Sequence, residues 1–287
     1  MKRMIVAAAI LAGSFLNAAA YFDGGATVTT GPNKYRGNRL HLLVGSGNIA
    51  VEPSIATYTS DLLDHTYRTY GLRGAWEADK FTVGAEGGST PEVNDYSNKY
   101  FGGDITLSLT PGSGGKSRLA GPGSRGTVRG GEGLARLDVG AGVRQIMHEY
   151  KPAGIAAQKT DQTQVSLFAG AKLLMIDLSA SYTNYNYGTR KIVPLINPIP
   201  GHEFVYGATP RSSVNARVDI PGTPMITPFV SYTGTKYRDS VDDSSAYLFG
   251  AYLDLSMLVA NVGYQIFDDG SHKTSFISVG AGIKFSI

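Results

Sequence analysis

The sequence predicts an all-β fold: a transmembrane antiparallel β-barrel of about fourteen strands, with twelve to sixteen as the outer bounds. Three observations carry that expectation. Apolar and polar residues alternate with period two in segments of about ten residues. The connections between segments sort into short turns at one end and mostly longer polar loops at the other. Tyrosines gather toward the long-loop ends. Composition agrees, since 42% of the 287 residues are hydrophobic while only 17% are charged, which disfavours a disordered chain. There is no cysteine, so a disulfide framework, an iron–sulfur site and a thiol nucleophile are excluded. After residue 20 no apolar run approaches the roughly 18 residues of a transmembrane helix.

The first twenty residues have the form of an export leader. Lys2 and Arg3 give a positive start, 5–16 is an apolar run, and Asn17-Ala18-Ala19-Ala20 supplies the small residues a signal peptidase needs. Residues 1–20 are therefore expected to be a signal peptide and 21–287 the barrel, with Tyr21 as the mature N-terminus. Loss of Lys2 and Arg3 lowers the formal charge from +3 to +1, which removes the main support for a nucleic-acid partner.

Strands are then expected at 21–30, 38–44, 49–59, 66–76, 80–88, 101–109, 134–149, 162–173, 177–187, 212–220, 225–236, 244–254, 258–267 and 274–286. The alternation is plainest late in the chain. Val165, Leu167, Ala169, Ala171 and Leu173 alternate with Gln164, Ser166, Phe168, Gly170 and Lys172. Val214, Ala216, Val218 and Ile220 alternate with Ser213, Asn215, Arg217 and Asp219, and Ile277 to Ile287 alternates to the end of the chain. Short turns fall at 45–48, 77–79, 174–176, 221–224 and 255–257. Longer loops fall at 31–37, 60–65, 89–100, 150–161, 188–211, 237–243 and 268–273. An even strand count puts both termini on the short-turn side. Tyr58, Tyr67, Tyr70, Tyr150, Tyr185, Tyr187, Tyr232, Tyr237, Tyr247 and Tyr264 lie near the long-loop ends, as expected of rings placed at headgroup level.

If the apolar set of each strand faces lipid, the inward set carries Arg39, Arg73, Arg136, Arg144, Arg217, Lys172 and Lys284 against Glu52, Glu86, Asp104, Asp138, Asp177, Asp219 and Asp254. Charge facing lipid would cost several kcal/mol, which forces most of these inward. The candidate pore-lining residues are Arg39, Glu52, Arg73, Glu86, Asp104, Arg136, Asp138, Arg144, Lys172, Arg217 and Asp219. Such charges either pack as a salt-bridged layer or surround water and ions. Inward glycines, among them Gly71, Gly84 and Gly140, are expected to leave room for water.

The ending Gly282-Ile283-Lys284-Phe285-Ser286-Ile287 resembles the C-terminal assembly signal of Gram-negative outer-membrane β-barrel proteins, a porin-like class. That signal usually ends in Phe or Trp, and Ile287 departs from it. The resemblance implies insertion by the barrel assembly machinery, an outer-membrane address with periplasmic termini, and contact with outer-membrane lipid and lipopolysaccharide.

Segment 111–132 breaks the alternation. It has eight glycines and two prolines in 22 residues, and Lys116, Arg118, Arg125 and Arg129 against Glu132 alone. Parity places it on the periplasmic side, as a linker or as a basic tether to an envelope partner or anionic lipid, with those four residues as candidate contacts. Other motifs fail on context. Gly45-Ser46-Gly47-Asn48-Ile49-Ala50 mimics a dinucleotide fingerprint but opens no helix. His41, His65, His148, His202 and His272 show no metal-ligand spacing. Asp242, Asp243, Asp268, Asp269 and His272 form the best acid–histidine group, and solvated turns explain it more simply. The sequence thus predicts a channel for passive diffusion of small polar solutes or ions, with no catalytic residue, metal or cofactor. A structural or anchoring barrel is the alternative, and an outer-membrane enzyme a distant third.

Overall fold

The computed structural model describes residues 20–78, 80–110, 135–221, 225–239 and 241–286. Of the expected leader 1–20, residues 1–19 lie outside the described residues, as does the expected tether 111–132. Fourteen strands are described: β1 (Ala20–Thr30), β2 (Arg36–Ser46), β3 (Ile49–Thr59), β4 (Tyr67–Glu77), β5 (Phe81–Val93), β6 (Tyr96–Ser108), β7 (Ala135–Tyr150), β8 (Gln158–Leu173), β9 (Ile176–Tyr187), β10 (Pro210–Asp219), β11 (Ile226–Tyr237), β12 (Ser244–Leu255), β13 (Leu258–Asp268) and β14 (Lys273–Ser286). Each pairs antiparallel with its sequence neighbour, and β14 returns to β1 from Tyr21↔Ser286 to Thr30↔Ile277. The sheet is a closed barrel with no free edge, and its even count brings both ends of the chain to one rim.

The strand period of two sorts side chains by face. Outward positions carry Leu40, Leu72, Phe101, Leu167, Val262 and Val279, each more than half exposed. A continuous apolar belt of this kind is stable only against lipid. Inward positions carry polar side chains that are buried, such as Thr27, Asn98, Gln162, Ser166, Thr233 and Gln265. All fourteen charged residues expected to point inward do so by register.

Two loops differ from expectation. The segment 89–100 is not a loop, because β5 and β6 continue to a tight turn at Asn94-Asp95, where both residues have positive φ (49° and 64°). Past the lipid boundary both faces turn polar, so the apolar signal that marks a strand vanishes while the backbone ladder continues. The same reason extends β8 back to Gln158. The second difference has larger consequences: 188–209 does not project outward but turns into the barrel.

The tyrosine expectation also needs correction. Tyr70, Tyr232, Tyr247 and Tyr264 face outward, but Tyr58, Tyr67, Tyr150, Tyr185, Tyr187 and Tyr237 face the interior, where Tyr67 is 1% exposed. Tyr58, Tyr67 and Tyr150 pack around Ile196 of the inserted loop, Tyr237 meets its Tyr206, Arg238 lies over the Tyr187 ring, and the Tyr185 hydroxyl accepts from Ser213.

Candidate functional site

The site is the barrel interior, and the loop 188–209 shapes it. Its residues Ile192, Leu195, Ile196, Ile199, Phe204, Val205 and Tyr206 are too apolar to lie in water. Ile196 packs on Tyr67 and Tyr96, with Tyr58 and Tyr150 beside them. Phe204 is 2% exposed and stacks on Phe276 with ring centroids 4.4 Å apart, while Phe267 meets it edge-on at 5.1 Å. The pairing Pro198↔Val205 closes the tip into a small hairpin. Its polar backbone is satisfied by the wall, which a buried segment requires. The Pro200 carbonyl accepts from Thr233 Oγ1 at 2.7 Å, and the Glu203 amide donates to Gln265 Oε1 at 3.1 Å. At the loop's entry the Lys191 and Ile192 amides donate to Thr160 Oγ1, and Arg190 pairs with Asp239 at 2.7 Å.

Beneath and beside the loop lies a cavity of about 430 Å³. Its lining includes Arg39, Glu52, Arg73, Glu86, Asp104, Arg144 and Arg217 from the wall and Glu203 from the loop. Three of these arginines are tied to carboxylates by charge-assisted bonds. Arg73 grips Asp104 through two contacts of 2.6 and 2.9 Å, Arg144 grips Glu86 through two of 2.7 Å, and Arg217 grips Asp219 at 2.6 and 2.8 Å. Arg217 also lies 4.0 Å over the Phe229 ring, and Arg144 5.2 Å over Tyr100. Arg39 differs. It is exposed to the lumen and faces Glu203 and Glu52, yet among the described residues it makes no direct ion pair.

Four candidates lie apart from this cavity. Arg136, Asp138, Lys172 and Asp219 point inward nearer the terminal rim but are not among its lining residues. Asp138 is fully buried and paired with Arg136 at 3.0 Å, and Lys172 stands opposite Asp177 across the β8–β9 ladder. At the same rim Lys284 pairs with Asp254, and Tyr21 packs with Leu43, Ala50 and Ala75. Lys116, Arg118, Arg125 and Arg129 lie outside the described residues.

Gly71, Gly84 and Gly140 are seats for large side chains rather than vacancies. A Cβ on Gly84 would stand 2.3 Å from the Arg73 guanidinium, and one on Gly140 would stand 2.2 Å from the Phe168 ring. Alternation could not show this, because the occupant comes from a neighbouring strand. Among the lining residues that sequence reasoning does not single out are Tyr58, Tyr100, His202, Glu203, Asn215 and Asn261. For His202 and Glu203 the sequence does carry a signal, since they sit in the stretch 192–206, which is too apolar for a solvated loop.

No protein-family model and no curated sequence matches the chain. Solved structures do share its fold. The CymD monoaromatic hydrocarbon channel aligns with a TM-score of 0.51 at 10% identity, over 94% of this chain and 89% of that one. A loop-deletion mutant of OmpT, an outer membrane protein of Vibrio cholerae, aligns at 0.50 with 11% identity, over 93% and 98%. CdiB from Acinetobacter baumannii aligns at 0.50 with 10% identity, over 93% of this chain but only 60% of that one. At such identities the likeness establishes the fold: a closed barrel of the outer-membrane type.

Proposed function

We propose that this chain is an outer-membrane channel for passive diffusion of small polar solutes or ions, narrowed by the loop 188–209. The observation that carries the reading is the cavity of about 430 Å³, lined by charged and hydroxyl side chains inside a barrel whose outside is apolar. Fourteen strands also exceed the eight that side chains alone fill. The chain would sit in the outer membrane of a Gram-negative bacterium, with the turn rim and both termini periplasmic and the long loops external. The short turns, the fold and the C-terminal resemblance support that orientation. Conduction, rather than chemistry, is the activity proposed.

Selectivity follows from which lining charges remain unspent. With Arg73, Arg144 and Arg217 each tied to a carboxylate, the residual charge is Arg39 against Glu52 and Glu203. The expected pore is weakly cation-preferring. Single-channel recording in a planar bilayer under asymmetric salt tests this directly. Arg39→Gln should move the reversal potential further toward the cation side, and Glu203→Gln toward the anion side. A membrane that stays silent after confirmed insertion would refute conduction.

A further inference from the structure

The charges around the cavity are unequally spent. Arg73, Arg144 and Arg217 each hold a carboxylate, and Asp23 stands 3.8 Å from His41. Arg39, Glu52 and Glu203 line the same space, and none of the three makes an ion pair among the described residues. The local causes are visible. Glu52 stands directly opposite Arg73 in the β3–β4 ladder, yet Arg73 reaches the other way, over Gly84, to Asp104 on β6. A side chain at position 84 would block that path. Glu203 is held at the loop tip between buried His202 and Phe204, with its amide fixed on Gln265 and its own side chain half-buried.

The three are stacked along one stretch of wall. A Cβ on Gly37 would stand 3.5 Å from the Glu203 carbonyl, so the loop tip lies against β2. Gly37 is two residues, or about 7 Å, loopward of Arg39. Arg39 is level with Ala56 on β3, and Glu52 lies on the same face of that strand, four residues or about 13 Å toward the terminal rim. Arg39 thus stands between two carboxylates and feels the field of both without closing on either. The rings of Tyr58 and Tyr100 line the cavity beside it.

We propose that this stretch of wall is a binding subsite for a small zwitterion of the α-amino-acid type, with Arg39 taking its carboxylate and Glu203 its ammonium. The proposal rests on the channel reading and names its solute class. A guanidinium fork suits a carboxylate through two parallel hydrogen bonds. A simple anion that reaches Arg39 meets two carboxylates, and a simple cation that reaches either carboxylate meets the guanidinium. Only a solute carrying both charges gives each group a partner, and inside protein such attractions exceed their strength in bulk water. Glu203 is the nearer carboxylate along the wall, while Glu52 keeps Arg73 beside it. Tyr58 and Tyr100 offer apolar surface to a short side chain, as in small-molecule sites generally.

The test uses the full barrel in neutral detergent, with binding read by ligand-observed NMR so that it does not depend on conduction. L-alanine is compared with propionate, which lacks the ammonium, and with ethylammonium, which lacks the carboxylate. Alanine should bind about tenfold more tightly than either, because each half adds a charge-assisted hydrogen bond. Arg39→Gln should remove the advantage over ethylammonium, and Glu203→Gln the advantage over propionate. Equal binding of the three probes by the parent, or an alanine advantage untouched by either variant, would overturn the proposal. A bilayer that stays silent while this discrimination persists would overturn conduction alone. Should Arg39→Gln fail the heat-shift assay for a folded barrel, Glu203→Gln on the loop decides: the advantage over propionate disappears, or the proposal falls.

Discussion

Truncating Phe204 to alanine should release the loop 188–209 from the lumen, and the size of the effect can be worked out from its contacts. The ring is 2% exposed, stacks on Phe276 at 4.4 Å and meets Phe267 at 5.1 Å. Burying a phenylalanine contributes about 1.5–3 kcal/mol, and each well-oriented aromatic pair adds about 0.5–1.5 kcal/mol. Truncations at such sites cost about 3–5 kcal/mol. Docking has to overcome the ordering of some twenty residues, so little surplus is expected. A loss of about 3 kcal/mol multiplies the undocked population roughly a hundredfold, since 1.4 kcal/mol is a factor of ten. When reclosing outpaces cleavage, proteolysis tracks that population. Cleavage within 190–206 by a broad-specificity protease should therefore accelerate about a hundredfold, while the strands stay resistant. Single-channel current should rise or become noisier in parallel. A cleavage rate within threefold of the parent would refute the reasoning, because it would mean that the aromatic contacts do not hold the loop.

Acid should act on the same equilibrium. Burial in the docked loop pushes the His202 imidazole down to about 4, the Gln265 hydrogen bond opposes the shift, and nearby Arg217 adds to it. The free loop would hold an ordinary histidine near 6.5. Docking is then strongest above about pH 6.5 and weakens as pH falls toward 4, by about thirtyfold in population at pH 5. Protease accessibility normalised to an unstructured reference should show that rise, and His202→Gln should abolish it. Gly140→Ala should destabilise the barrel by about 1–3 kcal/mol through its clash with Phe168, measurable as a lowered urea midpoint. Adding Phe168→Ala should recover part of that loss, and strict additivity would argue against the contact. Gly84→Ala should displace the Arg73 guanidinium and loosen its pair with Asp104, seen as a reversal-potential shift with the barrel still folded.

The barrel itself was legible because its strands obey one local rule. Lipid on one side and a polar interior on the other impose period two, and β13 or β14 shows it without help from any partner. The same rule assigned Arg73, Glu86, Arg144 and Arg217 to the interior, since no other face could hold them. It stopped where the lipid stops. Strand ends such as Tyr96–Lys99 carry no strand signal because both their faces are polar, although their hydrogen-bond ladder to β7 continues.

What the sequence by itself determined is therefore the chemistry of each face: which residues meet lipid, which meet the interior, and that the chain closes on itself. Only the tertiary structure decided how the interior is filled. The seat of Phe168 over Gly140, the gripping of Asp104 by Arg73 and the docking of Phe204 between Phe267 and Phe276 join residues 28 to 72 positions apart. Periodicity records a residue's relation to its own strand and carries nothing about which distant side chain will occupy the space before it. The width of the lumen, and with it the function, is set by those long-range contacts.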